Sequence, residues 1–399
     1  MRLGDTAGTP ARAPARRLSG LLIQRFISYI PPQKNREGEK MMKEKVSLII
    51  PTYNEKDNIT PLIERISKAL AGYNYEIVIV DDNSKDGTIE AATELAKRYP
   101  VKLIVRKNEK GLATAVIHGI KNATGPVICV MDADLQHPPE KLPEMIKAIE
   151  DGADMAFASR YIPGGGVPQW GLLRRVISKG AGQIAHLLLP SSRRVADPMS
   201  GFFIFRREKV DADKLKPTGY KIALEILLIG NFTKVTEVPF IFEDRTAGKS
   251  KLKAKTQIDY LKHVLSLMKR TGELGLFFKF IVVGLSGSVV NLLLYWLLTR
   301  FLGMANLGWL ASIISIEISI ITNFILNDVF TFAKHRVGKS FIGRLLKFNL
   351  TCAVGAAVQF GIYMLFTHAF HVQDVLSQGI GIVVAFLINY VVSRNWTWK

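Results

Sequence analysis

The 399-residue chain is longer than one ordinary domain and carries a formal net charge of +19, so we expect two units and an anionic partner. Basic residues cluster before residue 46 and again between Arg245 and Glu273, and the second cluster directly precedes a very apolar final third. No nucleic-acid recognition motif and no interleaved aromatic residues accompany this charge, which excludes nucleic acid as the expected partner and favours anionic lipid head groups.

Residues 1–43 are rich in Arg, Pro and Gly, and their one apolar patch, 21–30, is too short to span a bilayer. The basic flank is weakly similar to a signal peptide, but no clean cleavage site follows it. We expect this stretch to lie outside the fold, as a disordered basic arm, an over-long reading frame or a vector-derived remnant.

Strands and helices alternate from residue 44 to about 255. Apolar runs predict strands at 46–50, 76–80, 101–105, 127–131, 155–158, 201–205 and 235–240. Helices are predicted to begin near Asp57, Thr88, Gly111 and Glu140, and further helices over 171–189 and 223–229. This alternation predicts an α/β domain with a doubly wound, mostly parallel sheet.

Polar side chains follow several of these strands at their carboxyl ends, where ligands bind in such sheets: Glu55, Asp82, Asp132, Asp134 and Arg160. Asp132 and Asp134 follow a strand predicted to be buried on both faces, and in an extended segment they would share one face, with Gln136 at the same parity. Hard oxygen ligands at this spacing suit Mg²⁺ or Mn²⁺ beside substrate phosphates. The alternative is a solvated turn.

Two amphipathic helices precede or border the apolar third. The helix over 171–189 carries Arg174, Arg175, Ser178 and Lys179, and it is either an ordinary helix with a solvated basic face or a membrane-surface helix that holds a lipid phosphate. The segment 256–273, with a helix over 258–268, is expected to lie along the membrane.

The last segment, 274–399, predicts four membrane-spanning helices at 280–298, 301–327, 348–366 and 375–392. Basic residues lie in the loop between the second and third spans, whereas the turns after the first and third spans, 303–308 and 369–374, carry no Lys or Arg. The positive-inside rule therefore places both termini and the α/β domain in the cytoplasm.

The same segment repeats itself. Lys279-Phe280 matches Lys347-Phe348, and the ten residues from Asn323 match the ten from Asn389. An even number of spans in each unit predicts a parallel repeat of two hairpins. The repeat is either a plain anchor or, because Glu317 lies inside a span with Asn323 and Asn327 a turn or two later, a domain that also handles the lipid.

Five motifs together resemble the polyprenol-phosphate (dolichol-phosphate) mannosyltransferases, which are family 2 glycosyltransferases of the GT-A fold. They are P-T-Y-N-E from Pro51, V-D-D-N-S-K-D-G-T from Val80, D-A-D-L-Q-H-P-P-E from Asp132, S-R-Y from Ser159 and D-P-M-S-G-F-F from Asp197. The last third is similar to the four-span GtrA-like membrane domain.

This resemblance implies roles for individual residues. Residues expected to bind the nucleotide sugar are Pro51, Tyr53, Glu55, Val80, Asp82, Met131, Asp132, Ala133, Asp134, Arg245 and Lys251. Asp132, Asp134 and Gln136 would hold Mg²⁺ or Mn²⁺. Arg160, Arg174 and Ser178 would receive the lipid phosphate and, with Asp134, form the implied catalytic set.

The chemistry also follows from the residue types. A sugar that leaves as a nucleotide diphosphate needs its departing charge neutralised, which a divalent ion and Arg245 can do. A phosphate monoester acceptor is already anionic near pH 7 and needs cations to position it instead of a strong base. Attack opposite the leaving group predicts inversion, with a β-linked product from an α-linked donor. We expect transfer of mannose from GDP-mannose to dolichyl or another polyprenyl phosphate at the cytoplasmic membrane face.

Two alternatives remain open at this stage. One is the same reaction with UDP-glucose as the donor, which the sequence of the base pocket separates poorly. The other is a flippase for lipid-linked sugars whose soluble domain only regulates, although the intact D-A-D motif and both arginines argue against it.

Overall fold

A computed structural model describes residues 44–216, 219–243, 254–336, 338 and 340–398. The basic segment 1–43 lies outside these residues, as do Arg245 and Lys251. The expectations placed on them therefore stay predictions.

A seven-stranded sheet in the order β3-β2-β1-β4-β6-β5-β7 forms the first part of the fold. Its strands are β1 (Val46–Thr52), β2 (Tyr75–Asp81), β3 (Val101–Val105), β4 (Val127–Val130), β5 (Met155–Ser159), β6 (Phe203–Arg206) and β7 (Val235–Pro239). Strand β6 runs antiparallel to β4 and β5, and the other neighbouring pairs are parallel. This confirms the predicted α/β class with a mostly parallel sheet.

Seven helices accompany the sheet: α1 (Lys56–Ala69), α2 (Thr88–Leu95), α3 (Leu112–Asn122), α4 (Leu142–Glu150), α5 (Leu172–Leu188), α6 (Ile222–Ile229) and α7 (Ala254–Arg270). They give the sheet two hydrophobic layers, so successive residues of β1 enter different cores. Ile50 packs in the layer with α1 and α4, whereas Ile49 packs in the layer with α3 and α6. Burial on both faces explains why the strands read as continuous apolar runs.

Most strand boundaries differ from the prediction by one or two residues, and β1 continues through Pro51 to Thr52 instead of ending at Ile50. Strand β4 ends at Val130 instead of Met131, and β6 begins at Phe203 instead of Gly201. Gly201 lies against the residues that follow β4, because a Cβ placed on it would stand 2.8 Å from Asp132 Oδ2. The chain passes too close to Asp132 there for any larger residue.

Helices α5 and α7 are apolar on two sides. Their inner faces form a cluster that includes Ala185, Tyr260 and Leu267, and Leu274 and Phe277 pack against it. Outward-facing apolar side chains are Leu172, Val176 and Ile177 of α5 and Ile258, Leu261 and Leu265 of α7. Both helices thus present apolar surface beyond what the protein itself covers, which is typical of interfacial helices.

Within the described part of the chain, four further helices are long and apolar enough to cross a membrane. They are α8 (Glu273–Arg300), α9 (Gly308–Leu326), α10 (Phe341–Met364) and α11 (Asp374–Val392), and π-helical turns extend the last three through Thr331, Ala369 and Thr397. The second span begins at Gly308, later than predicted, because residues from Phe301 form a turn in which Gly303 has φ 70°.

Repeat-equivalent residues meet at the centre of the two hairpins α8–α9 and α10–α11. One aromatic cluster contains three equivalent pairs, which are Phe280 and Phe348, Phe324 and Tyr390, and Phe332 and Trp398. Two buried ion pairs connect the hairpins reciprocally. Asp328 after α9 binds Arg344 of α10, and Arg394 after α11 binds Glu273 of α8.

The structure separates Glu317 from the two asparagines with which the sequence grouped it. Glu317 is exposed, and its Oε1 accepts from Asn349 Nδ2 at 2.6 Å. Asn323 instead packs on Gly287 inside the bundle, and Asn327 is 2% exposed. The three side chains therefore do not form one site.

We predict that Gly287→Ala and Gly355→Ala each destabilise the protein. A Cβ at Gly287 would lie 2.1 Å from Asn323 Nδ2, and one at Gly355 would lie 2.2 Å from Asn389 Oδ1. Such overpacking costs about 1–3 kcal/mol. The thermal unfolding midpoint of the purified protein in detergent measures the effect. Gly361→Ala is the matched control, because no atom lies within 4 Å of its added Cβ. An equal midpoint for all three variants would contradict the packing seen at these glycines.

Candidate active site

A cavity of about 720 Å³ opens at the carboxyl ends of the parallel strands. It brings together most of the predicted site residues: Pro51, Tyr53, Glu55, Asp82, Asp132, Ala133, Asp134, Gln136, Arg160, Arg174 and Ser178. Val80 of β2 and Met131, directly after β4, are fully buried behind it. Strand ends that lie far apart in the sequence thus form one site.

The first part of the cavity is built by the loops after β1 and β2. Asn54 and Asn83 adopt left-handed backbone conformations with φ 58° and 59°, which asparagine tolerates better than most residues. Buried Asp81 connects the loops, because its Oδ2 accepts from Thr52 Oγ1 at 2.8 Å and from Ser84 Oγ at 2.7 Å. These contacts hold Tyr53 at the cavity, where its ring centroid lies 5.0 Å from Lys110 Nζ.

Asp82 is held from behind by Arg106, a residue without a predicted role. Arg106 Nε donates to Asp82 Oδ1 at 2.8 Å, and the Gly111 backbone N–H donates to Asp82 Oδ2 at 2.7 Å. Both carboxylate oxygens therefore have protein donors, and the Asp82 side chain is fixed in one orientation.

The segment after β4 is bent and not extended, so the parity argument for Asp132, Asp134 and Gln136 was wrong. Leu135 has φ 61°, a left-handed conformation that turns the chain between Asp134 and Gln136. The three side chains converge on the cavity through this turn. Gln136 Nε2 donates to the Glu243 carbonyl at 3.2 Å, and the Gln136 N–H donates to Asp134 Oδ1 at 3.2 Å.

His137 supports this turn from within the core. Its Nδ1 accepts from the Asp132 N–H at 3.2 Å, and its ring packs against Phe202, Phe240 and Phe242. Burial lowers the pKa of His137 to about 4. The imidazole is therefore neutral near pH 7, in the tautomer with its proton on Nε2.

The donor set at this turn fits a hard divalent cation. Within the described residues, no cluster of three or more His, Cys, Asp and Glu side chains forms, so a cation here would rest on the two carboxylates and the Gln136 amide. The backbone at Gly201 also supports a cation site here, because the absence of a Cβ leaves room for the Asp132 carboxylate. Mg²⁺ and Mn²⁺ commonly combine few carboxylates with phosphate oxygens.

The opposite wall of the cavity carries the predicted arginines. Arg160 forms two hydrogen bonds to buried Asp197, from Nε at 2.7 Å and from Nη2 at 2.8 Å. Burial alone would lower the pKa of Arg160, but the Asp197 carboxylate outweighs it and raises that pKa. The Trp170 ring lies between the two arginines, 5.4 Å from the guanidinium of Arg160 and 4.1 Å from that of Arg174.

Arg174 and Ser178 lie one turn apart on α5 and face the same cavity. Ser178 Oγ accepts from the Tyr161 hydroxyl at 2.8 Å, which leaves the serine's own proton available as a donor. Asp197 balances the charge of Arg160, and Arg174 adds a second guanidinium group to the lining of the cavity.

Sequence reasoning missed several residues of this site. His137 and Asp197 lie inside motifs singled out above, D-A-D-L-Q-H and D-P-M-S-G-F-F, so a signal existed for them. Lys221 had none. It precedes α6, lines the cavity, and donates to the Met199 carbonyl at 2.8 Å. Burial lowers the pKa of Lys221 to about 8, and the Arg160 charge acts in the same direction.

Known families cover both parts of the chain. The profile described as Glycosyl transferase family 2 matches residues 47–212, and the profile described as GtrA/DPMS, transmembrane domain, matches residues 279–398. The chain is 48% identical to a dolichol-phosphate mannosyltransferase of Pyrococcus furiosus, over 89% of this chain and 99% of that protein.

Further relatives and a solved structure are similar over shorter parts of the chain. A dolichol-phosphate mannosyltransferase of Saccharomyces cerevisiae is 40% identical over 57% of this chain and 88% of its own length. Among solved structures, glucosyl-3-phosphoglycerate synthase from Mycobacterium tuberculosis, with Mn²⁺, UDP and glucosyl-3-phosphoglycerate, is similar with a TM-score of 0.46. It is 17% identical over 60% of this chain and 87% of that chain.

Proposed function

The chain belongs to the dolichol-phosphate mannosyltransferase family, and on that premise we propose that it transfers mannose from GDP-mannose to dolichyl or another polyprenyl phosphate, with inversion, giving dolichyl β-D-mannosyl phosphate. The observation that supports the proposal is that Asp132 and Asp134 line the same cavity as Arg160 and Arg174. An acidic side suits a cation and a diphosphate, and a basic side suits a second phosphate.

Donor binding is proposed at the loops after β1, β2 and β4. Pro51, Tyr53, Glu55 and Asp82 would contact the nucleoside, while Arg245 and Lys251 would contact its phosphates. Asp132, Asp134 and Gln136 would hold Mg²⁺ or Mn²⁺, which when bound neutralises charge on the diphosphate. The neutral His137 keeps these ligands in place without adding a positive charge of its own.

Acceptor binding is proposed at Arg160, Arg174 and Ser178. Arg174 and the Ser178 hydroxyl would orient the phosphate monoester, and Arg160 would shape the wall while its charge is largely balanced by Asp197. An acceptor oxygen then attacks the anomeric carbon from the face opposite the diphosphate. The new carbon–oxygen bond forms as the bond to GDP breaks, and GDP leaves with the electron pair.

The protein is an integral membrane protein, and we propose that residues 44–255 form its cytoplasmic catalytic domain, 256–273 an interfacial segment and 274–399 the four-span domain. Lys334 and Arg336 lie between the second and third spans, and Arg344 and Lys347 lie in the first two turns of α10, which supports a cytoplasmic position for that end. The outward apolar side chains of α5 and α7 would rest in the same interface and bring Arg174 to the level of lipid phosphates.

The proposed reaction is tested with purified full-length protein, a short polyprenyl phosphate in detergent, and either GDP-mannose or UDP-glucose. We expect metal-dependent formation of a mannosyl lipid and little or no glucosyl lipid. Chelation of divalent cations should abolish transfer, and Mn²⁺ or Mg²⁺ should restore it. Faster transfer from UDP-glucose than from GDP-mannose would contradict the donor assignment.

We predict that Asp134→Asn leaves the protein folded but lowers turnover below about a tenth of the wild-type value, because one hard ligand at the diphosphate is lost. Binding of GDP with Mn²⁺, followed by calorimetry, should weaken in parallel. Asp151→Asn, an exposed substitution of the same kind, is the control and should leave both quantities unchanged. A variant with normal metal-dependent GDP binding would remove Asp134 from the metal site.

We predict that Arg174→Ala weakens use of the acceptor about tenfold to a hundredfold, as expected for a lost hydrogen bond to a charged group. The KM for the polyprenyl phosphate should rise while the calorimetric affinity for GDP and metal stays near normal. Lys179→Ala removes an exposed cation from the same helix and serves as the control. Equal losses of GDP affinity and turnover would instead place Arg174 at the donor.

A further inference from the structure

A second, smaller cavity of about 360 Å³ lies in the membrane domain, between the end of α9 and the start of α10. Its lining combines apolar residues, Ile325, Val329 and Phe341, with the charged residues Asp328, Arg336 and Arg344. Nothing in the proposed transfer reaction uses this cavity, because it lies on a different part of the fold from the sheet. It therefore needs its own explanation.

The cavity carries one positive charge in excess. Arg344 Nε and Nη2 donate to the two Asp328 carboxylate oxygens at 2.8 and 3.0 Å, and Trp398 Nε1 adds a third hydrogen bond at 2.8 Å. Arg336 Nη1 lies 3.8 Å from Asp328 Oδ2, beyond hydrogen-bond distance, and its side chain is 44% exposed. Arg344 thus balances Asp328, and Arg336 is left to attract an anion.

The repeat shows that the opposite face of the bundle is covered. Asn395, the equivalent of Val329, contacts Arg193 of the catalytic domain, and Leu274, the equivalent of Ile342, packs against the cluster between α5 and α7. On the cavity side, Val329 is 57% exposed and Ile342 67% exposed. Val329 and Ile342 are thus largely uncovered by the described residues, and the positive charge of Arg336 in the cavity favours an anionic occupant.

The position and shape of the cavity indicate which kind of anion it binds. The cavity lies where one span ends and the next begins, the level at which lipid head groups meet the apolar bilayer. Its apolar wall continues along the lipid-facing side of α9 through Ile325, which is 44% exposed. We propose that this cavity binds an anionic phospholipid, with the phosphate at Arg336 and a hydrocarbon chain along Ile325, Val329 and Phe341.

The test is native mass spectrometry of the full-length protein in detergent, titrated with phosphatidylglycerol or with phosphatidylcholine of the same chains. We expect one phosphatidylglycerol to bind more tightly than phosphatidylcholine. Arg336→Gln should weaken it about fivefold, the effect of one basic residue near an anionic lipid, and Arg336→Lys should largely preserve it. Lys334→Gln, an equal charge change on an exposed residue of the same loop outside the cavity lining, should leave the affinity within about twofold.

A second variant tests the hydrocarbon contact. Val329→Asn introduces the residue found at the equivalent repeat position and should weaken phosphatidylglycerol without changing the charge. Equal effects of Arg336→Gln and Lys334→Gln would reduce the proposal to diffuse attraction and overturn it. Displacement by soluble glycerol phosphate, or stronger binding of polyprenyl phosphate than of phosphatidylglycerol, would also overturn it. Because the readout is lipid binding, its outcome is independent of the transfer assay.

Discussion

The ion pair between Arg160 and Asp197 holds together one wall of the cavity at the strand ends. Asp197 is fully buried, and its carboxylate accepts two guanidinium N–H groups and the backbone N–H of Arg160. Glu237 of β7 in turn accepts from the N–H groups of Ala196 and Asp197. The pair therefore joins the end of β5, the loop before β6 and strand β7. Removing one partner would leave a buried charge at a cost of about 3–5 kcal/mol.

The pairing with Asp197 distinguishes Arg160 from Arg174, although the sequence predicts the same role for both. Arg160 is 8% exposed and packs against aromatic rings, so it acts as a positively charged part of the wall. Arg174 comes from a surface helix, and its guanidinium lies 4.1 Å from the centroid of the same Trp170 ring. A guanidinium fixed at a strand end and one carried by a surface helix thus line the same cavity.

The sequence predicted the sheet and the strand-end residues because both follow from local patterns, apolar runs and the polar residues that end them. It could not predict which charges pair. Arg106 with Asp82, and Arg160 with Asp197, are partners set by tertiary folding, and Lys221 reaches the cavity only because the loop before α6 passes there. The parity argument failed for a local reason, the left-handed turn at Leu135, although the three residues that it grouped do line one cavity.

The membrane domain is built from a duplicated sequence, but its two faces are not equivalent. Equivalent aromatic residues pack on each other, and Phe332 and Trp398 stack with ring centroids 4.5 Å apart, which preserves the symmetry at the centre. The charged residues break this symmetry, because Asp328 in the first hairpin corresponds to Arg394 in the second. Each still pairs across the hairpins, Asp328 with Arg344 and Arg394 with Glu273, so the interior is neutral on both sides.

The surfaces around the two ion pairs differ as a consequence. On the surface near Arg394, Asn395 accepts a hydrogen bond from Arg193. Arg193 also donates to the carbonyl of His186 near the end of α5, the helix that carries Arg174 and Ser178. Arg193 therefore links α5 to the second hairpin, the half of the repeat in which Arg394 stands where the first half has Asp328.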